Sequence, residues 1–420
     1  MTPSRRPGLL RDRDFRLLCA ATALGQLGDR VVFLTLPLVA ITTLDADAFQ
    51  IGLLTATTTA GSLLVGLPAG AWVDRVRKRP VLIGTDLARA LALLSVPVAW
   101  WAGALTVPWL YAVALAHGLL GVLFDVSYAG YLPRLVGRDR LLEGNSTLSA
   151  VRSVTSISGP ALAGPLVGGL GAAPTLVASS AGMTASALLA LAIRGREDKP
   201  RPAARPRLRR EVLAGLRFVL ARPALRATVL GDALFNLFLA MYQTMLLVFL
   251  ERRLGLDASG VGLILSGMGC GALLGALTAT RLARRLGQGR VIWLAPLLTC
   301  PLTVLTPLAH PGGAGVFAAA AGLAALSFGG VVRVVAQSSF QQALTPDGLL
   351  GRMNATARFV SWGGLPLGGL LGGASGTAVG ARTTLWLAAA GMTLSFLPAA
   401  LSPLRGMRTA DRAPGADAHP

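Results

Sequence analysis

The sequence predicts an all-α membrane protein: twelve transmembrane helices in two pseudo-symmetric six-helix bundles. Three observations carry this. Hydrophobic residues fill 53% of 420 positions against 14% charged, and the mean hydropathy of +0.62 exceeds that of a soluble fold with a mixed polar surface. The apolar residues gather into runs long enough for a helix to cross roughly 30 Å of hydrocarbon. The second half of the chain also repeats the first.

The runs fall at residues 15–43, 49–73, 80–102, 108–132, 145–170, 174–194, 224–250, 258–283, 289–309, 314–341, 352–376 and 380–403. They are continuous, whereas a membrane barrel would alternate polar and apolar residues in pieces of about 10. On a shift of 210, GLLTATTTAGSLLVGLPAGAWVDRVRKRPVL (52–82) aligns without a gap with GLILSGMGCGALLGALTATRLARRLGQGRVI (262–292), sharing Gly52/Gly262, Gly61/Gly271 and Arg75/Arg285. A shift of 206 sets RSVTSISGP (152–160) beside RFVSWGGLP (358–366). An even number of spans per copy keeps both copies the same way up, so the repeat is parallel.

Charge sets the orientation. With the N-terminus inside, the inner segments hold 30 of the basic residues outside the spans and the outer segments only Arg252, Arg253 and Arg382. Positive-inside bias then makes both termini cytoplasmic, in a bacterial cytoplasmic membrane. The net charge of +20 is split into short clusters between apolar runs, which argues against nucleic-acid binding. The chain divides into a cytoplasmic tail (1–14), a six-helix bundle (15–194), a cytoplasmic linker (195–223), a second bundle (224–403) and a second tail (404–420). SRRPGLL (4–10) imitates a twin-arginine signal, but Arg11, Asp12, Arg13, Asp14 and Arg16 stand where its uncharged core should begin. Within the linker, 195–211 is rich in proline and arginine and buries no apolar face. After it, Val212, Leu216, Val219 and Leu220 recur at helical spacing among Arg209, Arg210 and Arg217, the pattern of a helix lying on the inner membrane surface.

Cys19, Cys270 and Cys300 lie far apart, each in or beside an apolar run, and frame neither a disulfide set nor a metal site. No phosphate-binding loop of the form G-x-x-x-x-G-K-[ST] and no nucleophile triad appears, so no enzyme activity and no cofactor are expected.

Ionisable residues inside a span cost at least about 2.5 to 3.5 kcal/mol near the bilayer centre and mark functional sites. Nine qualify: Asp29, Arg30, Asp86, Arg89, Asp125, Arg152, Asp232, Arg333 and Arg358. Gln26, Asp29, Arg30, Phe33 and Pro37 share a stripe on the first span, and His117, Gly121, Phe124, Asp125 and Tyr128 share one on the fourth. The seventh span shows Asp232, Asn236 and Gln243, and the tenth Arg333, Gln337 and Gln341. A proton-coupling carboxylate must sit where its protonation follows its surroundings. Asp29 is the first candidate, ahead of Asp125 and Asp232; the alternative is a permanent bridge from Asp29 to Arg152 or Arg358. Asp86 and Arg89, one turn apart, read as a structural pair. His117 reads either as a packed, hydrogen-bonded residue or as a proton carrier. Phe33, Phe124, Tyr128, Phe235, Phe238, Tyr242 and Trp362 predict an amphipathic or aromatic ligand.

The turn GAWVDRVRKRP (70–80) carries Gly70, Asp74, Arg75, Lys78 and Arg79 in the pattern G-x-x-x-D-R-x-G-R-K, with Arg77 in place of the second glycine. By this motif, the span count and the repeat, the chain resembles the major facilitator superfamily. DRVRKRPVLIGTDLARA, GDRVVFLTLP and EVLAGLRFVLARPALR make it most similar to the branch holding macrolide-efflux and enterobactin-exporter proteins. The resemblance implies alternating access around a cavity lined by the first and fourth helices of each half, export of an amphipathic small molecule, and drive from the proton gradient. A monomer in the lipid bilayer is expected. Such exporters place a proton-relay arginine near the position of His117, where this chain departs.

Two motifs bear on conformational change. Asp74 reads either as a latch onto the N-terminus of the helix from about Leu350, formed only when the inner side is closed, or as part of a plain positive-inside anchor. Gly164, Pro165, Gly168 and Gly169 fit the G-P-x-x-G-G tail of the antiporter signature, a hinge against the eighth span with its Gly267, Gly269, Gly271 and Gly275, although Pro160 stands where a glycine is expected. Against export stand an uptake carrier for a small polar or siderophore-like solute and a receptor or scaffold without flux.

Overall fold

The computed structural model describes residues 9–73, 75–137, 140–195, 197, 208–346 and 349–407, and every regular element among them is helical. α1 (Arg13–Leu38) begins where the Asp12 carboxylate accepts from the amides of Asp14 and Phe15, and it continues through a π-helical turn at Val39–Thr43. α2 (Ala48–Val73), α3 (Lys78–Trp101), α4 (Val107–Val136), α5 (Leu141–Leu170) and α6 (Ala172–Ala192) follow. After the connector come α7 (Leu208–Ala221), α8 (Pro223–Arg252), α9 (Ala258–Leu286), α10 (Gln288–Thr299), α11 (Leu305–Leu308), α12 (Gly313–Ala343), α13 (Leu350–Val379), α14 (Ala381–Leu394) and α15 (Leu397–Ala400). A 3-10 turn at Cys300–Val304, where Pro301 removes a backbone donor, links α10 to α11.

The protein is therefore an all-helical, multi-pass membrane protein. Ten helical stretches among the described residues are long and apolar enough to cross a bilayer. α5 and α13 fall outside that set: their first halves carry Arg152, and Arg352 and Arg358, and their second halves are rich in glycine with proline and serine, which lowers their hydropathy.

The start of α1, the α2–α3 turn and the connector share one face, the linker face. There Asp14 accepts from the amides of Arg194 and Gly195, and Glu197 from those of Lys78 and Arg79. On the opposite face Arg252 ends α8 and pairs with Asp45 of the α1–α2 loop at 2.9 Å.

In the first half α1 packs on α5 and α6, α3 on α4 and α6, and α2 on α4; in the second α9 packs on α12, and α8 on α13 and α14. Among the described residues the halves meet most extensively where α2 packs on α13 and α5 on α9, with a smaller contact between α2 and α8. The repeat is visible in the backbone: Gly171, between α5 and α6, and Gly380, between α13 and α14, turn the chain with φ of 85° and 83°, a region where only glycine is unstrained.

α7 forms where the amphipathic pattern predicts. Its buried line meets protein: Val219 joins a cluster with Leu225, Val229, Met353 and Ala357, and Gly215 lies against the Arg352 carbonyl of α13. The side chains of Arg209, Arg210 and Val212 lie outside those described, as do residues 1–8, which include most of the twin-arginine stretch.

Candidate substrate cavity and charged clusters

A cavity of about 690 Å³ lies between the halves on the linker face. Its walls come from the linker-face portions of α4 (Asp125, Tyr128), α5 (Arg152), α8 (Asp232, Asn236), α12 (Arg333, Gln337, Gln341) and α13 (Asn354, Arg358, Trp362). Arg152, Ser338, Gln342, Asn354 and Arg358 are exposed, so water reaches it from that face. A side cleft of about 210 Å³ extends it between α2 and α13, past Gly66 and Phe359.

The opposite face is closed by backbone contact. A Cβ on Gly52 of α2 would lie 2.6 Å from the Gly369 carbonyl oxygen of α13, and one on Gly164 of α5 would lie 2.7 Å from the Ala258 carbonyl oxygen of α9. Both are closer than a methyl group can approach, so glycine permits the seal. Of the antiporter-like stretch, Gly164 makes this contact and Gly168 faces Ser259, while Pro165 and Gly169 are exposed and Gly169 meets no neighbour. On α9, Gly262 and Gly269 face α5, but Gly271 and Gly275 pack on α12 instead. The expected glycine-to-glycine hinge is thus shorter than the motif, since one helix stripe cannot serve two partners.

Five of the nine intramembrane charges form two clusters. On the first-half side, Arg89 of α3 bridges Asp29 of α1 and Asp86, with the Asp86 contact at 3.3 Å. Asp86 also accepts from Ser186 Oγ at 2.7 Å, and His117 Nε2 lies 3.4 Å from Asp29. Asp29 therefore pairs with Arg89, and neither Arg152 nor Arg358 contacts it. Asp29 and His117 line a second cavity of about 240 Å³ toward the opposite face, with Phe33, Thr55, Thr58, Thr59 and Gln243. One arginine serves two carboxylates here. With His117 neutral and both carboxylates ionised, the cluster holds one uncompensated negative charge.

On the second-half side the balance is one to one. Arg333 pairs with Asp232, Gln337 donates to the other Asp232 oxygen, and the guanidinium lies 4.5 Å from the Phe235 ring centre. Gln341 donates to Thr228, and Asn236 to the Ser361 carbonyl at 3.1 Å. Asp125 makes no direct ion pair among the described residues but lies in the field of Arg152, Arg358 and Arg89.

Several expected cavity residues lie elsewhere. Tyr242 is fully buried and donates to the Thr303 carbonyl, and Phe238 packs on Gly391 of α14, because that side of α8 faces its own half. Phe124 stacks between Tyr128 and Arg89. Gln26 and Arg30 line neither cavity; Arg30 packs against Gly159 of α5.

The basic turn is tied within its own half. Arg79 donates to the carbonyls of Ala190 and Leu191 at the end of α6, and Lys78 Nζ to Val73. Arg75 is exposed, Gly70 belongs to the last turns of α2, and Asp74 lies outside the described residues. Sequence reasoning missed Glu197. Its carboxylate accepts from the first two amides of α3 and pairs with Arg134 at 2.7 Å, joining three elements. The signal available was its acid character in an arginine-rich connector.

A helical membrane protein with a polar cleft between repeated halves, open on one face and shut by glycine contacts on the other, is a secondary transporter of the major facilitator type, not an enzyme. The chain belongs to the transmembrane secretion effector family (MFS_3), whose model matches residues 7–420. It is 30% identical over 376 residues to the uncharacterized MFS-type transporter y4rN of Sinorhizobium fredii, covering 88% of this chain and 89% of that one. It is 26% identical over 330 residues to the enterobactin exporter EntS of Salmonella choleraesuis, covering 77% and 78%. Among solved structures, an inward-facing bacterial homologue of the iron transporter ferroportin shares the fold with a TM-score of 0.74 and 16% identity over 94% of this chain and 98% of that one. A bacterial homologue of the lysosomal transporter Spinster, inward-facing and occupied, matches at 0.75 and 15% over 98% and 100%.

Proposed function

We propose that the protein exports an amphipathic small molecule from the bacterial cytoplasm by alternating access with proton antiport. In this reading twelve spans form two six-helix bundles, residues 15–194 and 224–403, which rock about the cavity as a monomer in the bilayer. The linker 195–223 and the tails 1–14 and 404–420 lie in the cytoplasm. The arginine bias supports placing the linker face inside.

The single observation carrying the transport reading is the cavity itself, accessible from the linker face and shut on the other, mixed in polarity, and lined by both halves. In an exporter this is the loading state, and the direction rests on the family. The secretion description of the family and the printed function of the EntS relatives point the same way.

Proton coupling belongs to the Asp29, Arg89 and Asp86 cluster. Its one excess negative charge is costly in hydrocarbon, and a proton on Asp29 neutralises it while Arg89 keeps Asp86. His117 is placed to relay that proton. Asp232 is fully matched by Arg333 and Gln337, and serves structure. The test is accumulation in inside-out vesicles of a panel of hydrophobic antibiotics and other amphipathic probes. Export predicts movement into the lumen, abolished by an uncoupler. Movement only in right-side-out vesicles would establish uptake.

A further inference from the structure

Of the three cavity arginines, only Arg333 has a carboxylate partner. Arg152 and Arg358 are exposed in the cavity and make no ion pair among the described residues. Each is held by an aromatic face instead: the Arg152 guanidinium lies 5.4 Å from the Tyr128 ring centre, and that of Arg358 lies 3.9 Å from Trp362. A cation–π contact of this kind holds the guanidinium near the ring without using its N–H groups. The two arginines are also equivalents, superposed by the shift of 206 that relates α5 to α13. One therefore comes from each half.

Two unmatched cations in a membrane cavity are expensive without a counter-charge. Asp125 supplies one negative charge to their shared field and touches neither, and Arg30 adds a further positive charge within reach of Arg152. The cavity wall is left cationic. We infer that Arg152 and Arg358 form a two-point anion clamp, and that the transported molecule is an amphipathic anion with a carboxylate, sulfonate or phosphate group beside an aromatic body.

The clamp explains why the arginines come from different halves. Empty, they carry like charge across the open face and oppose its closure. An anion that accepts from both removes that repulsion and favours the closed linker face, so loading itself drives the conformational step. Asp125 competes with the substrate for the same guanidinium groups. An anion leaving the cytoplasm also runs down an inside-negative membrane potential, so potential alone contributes to export.

The inference rests on this cavity being the substrate site, and its test uses no gradient, so it stands or falls separately from the direction of transport. Purified full-length protein is titrated with 2-naphthoate, 2-naphthylmethanol and 2-naphthylmethylammonium, which share one aromatic body and differ in charge. Naphthoate should bind most tightly. Arg152→Ala and Arg358→Ala should each cut the preference for naphthoate over the alcohol by about tenfold or more, with lysine at either position retaining part of it. Asp125→Asn should act in the opposite sense and tighten naphthoate by about threefold or more. Equal binding of the three probes, tightest binding of the ammonium, or an unchanged preference in the alanine variants would overturn the clamp. If the alanine variants do not fold, Asp125→Asn decides: an unchanged or weaker naphthoate affinity overturns it equally.

Discussion

Gly52 and Gly262 occupy the same register in the two repeats and perform the same task in mirrored company. Gly52 of α2 lies against Gly369 and Gly373 of α13, while Gly262 of α9 lies against Pro160 and Gly164 of α5. The duplication thus preserved two close approaches of the halves on the face opposite the linker. Both contacts are backbone against backbone.

Gly52→Ala is expected to push α2 from α13 on that face. A methyl group at 2.6 Å from Gly369 oxygen is overpacking, costing about 1 to 3 kcal/mol. The state closed on the opposite face should lose population by roughly 5- to 150-fold relative to the alternative. Spin-label distances across the two faces in the wild type and the variant measure the shift.

Asp29→Asn and Asp232→Asn should separate coupling from structure. In the first cluster Arg89 keeps Asp86, so Asp29→Asn should fold, bind substrate and lose its response to an imposed pH gradient. Asp232→Asn leaves buried Arg333 without its carboxylate, a change costing about 3 to 5 kcal/mol. Gradient-driven flux and thermal unfolding of both variants check the pair. Equal unfolding temperatures with equal loss of coupling would merge the two roles.

Glu197→Gln should loosen the connector. The carboxylate has a side chain only 5% exposed and accepts from the amides of Lys78 and Arg79 as well as pairing with Arg134. Losing these charge-assisted bonds should cost about 1 to 3 kcal/mol. Faster proteolysis within 195–207 and a lowered unfolding temperature are the expected readouts.

Glu143 predicts an acid-sensitive tether for the N-terminal segment. The Leu9 amide donates to it at 2.7 Å, and this bond, together with Arg140, holds the carboxyl below the usual glutamate range. A lowered carboxyl contributes only while ionised. The tether is therefore intact above the ordinary glutamate pKa and lost as pH falls through the lowered value. Proteolysis of residues 1–12 should accelerate at acid pH in the wild type, and Glu143→Gln should show the accelerated rate at neutral pH.

The spans were legible because a bilayer imposes one length and one chemistry, which reads directly as apolar runs. Even the less apolar α5 and α13 emerged as runs at 145–170 and 352–376. The partners of the charges were less legible. Asp86 and Arg89 stand one turn apart and read as self-sufficient, so the sequence offered no reason to look for Arg89 at Asp29, 60 positions earlier. Tyr242 reads as a cavity aromatic by residue type, yet α8 packs on both α13 and α14 and that side faces inward to its own half. Glu197 belongs to no periodic pattern, and its role exists only once α3, α4 and the connector meet.

Sealing by bare main chain has a consequence for diversification. At Gly52 and Gly262 no side-chain rotamer has to reorganise for the backbones to part, and neither glycine lines the linker-face cavity. Mutations that reshape what the chamber accepts can therefore accumulate on α4, α8 and α12 while the gate keeps working, which lets one moving frame be retuned for new cargoes without relearning how to open.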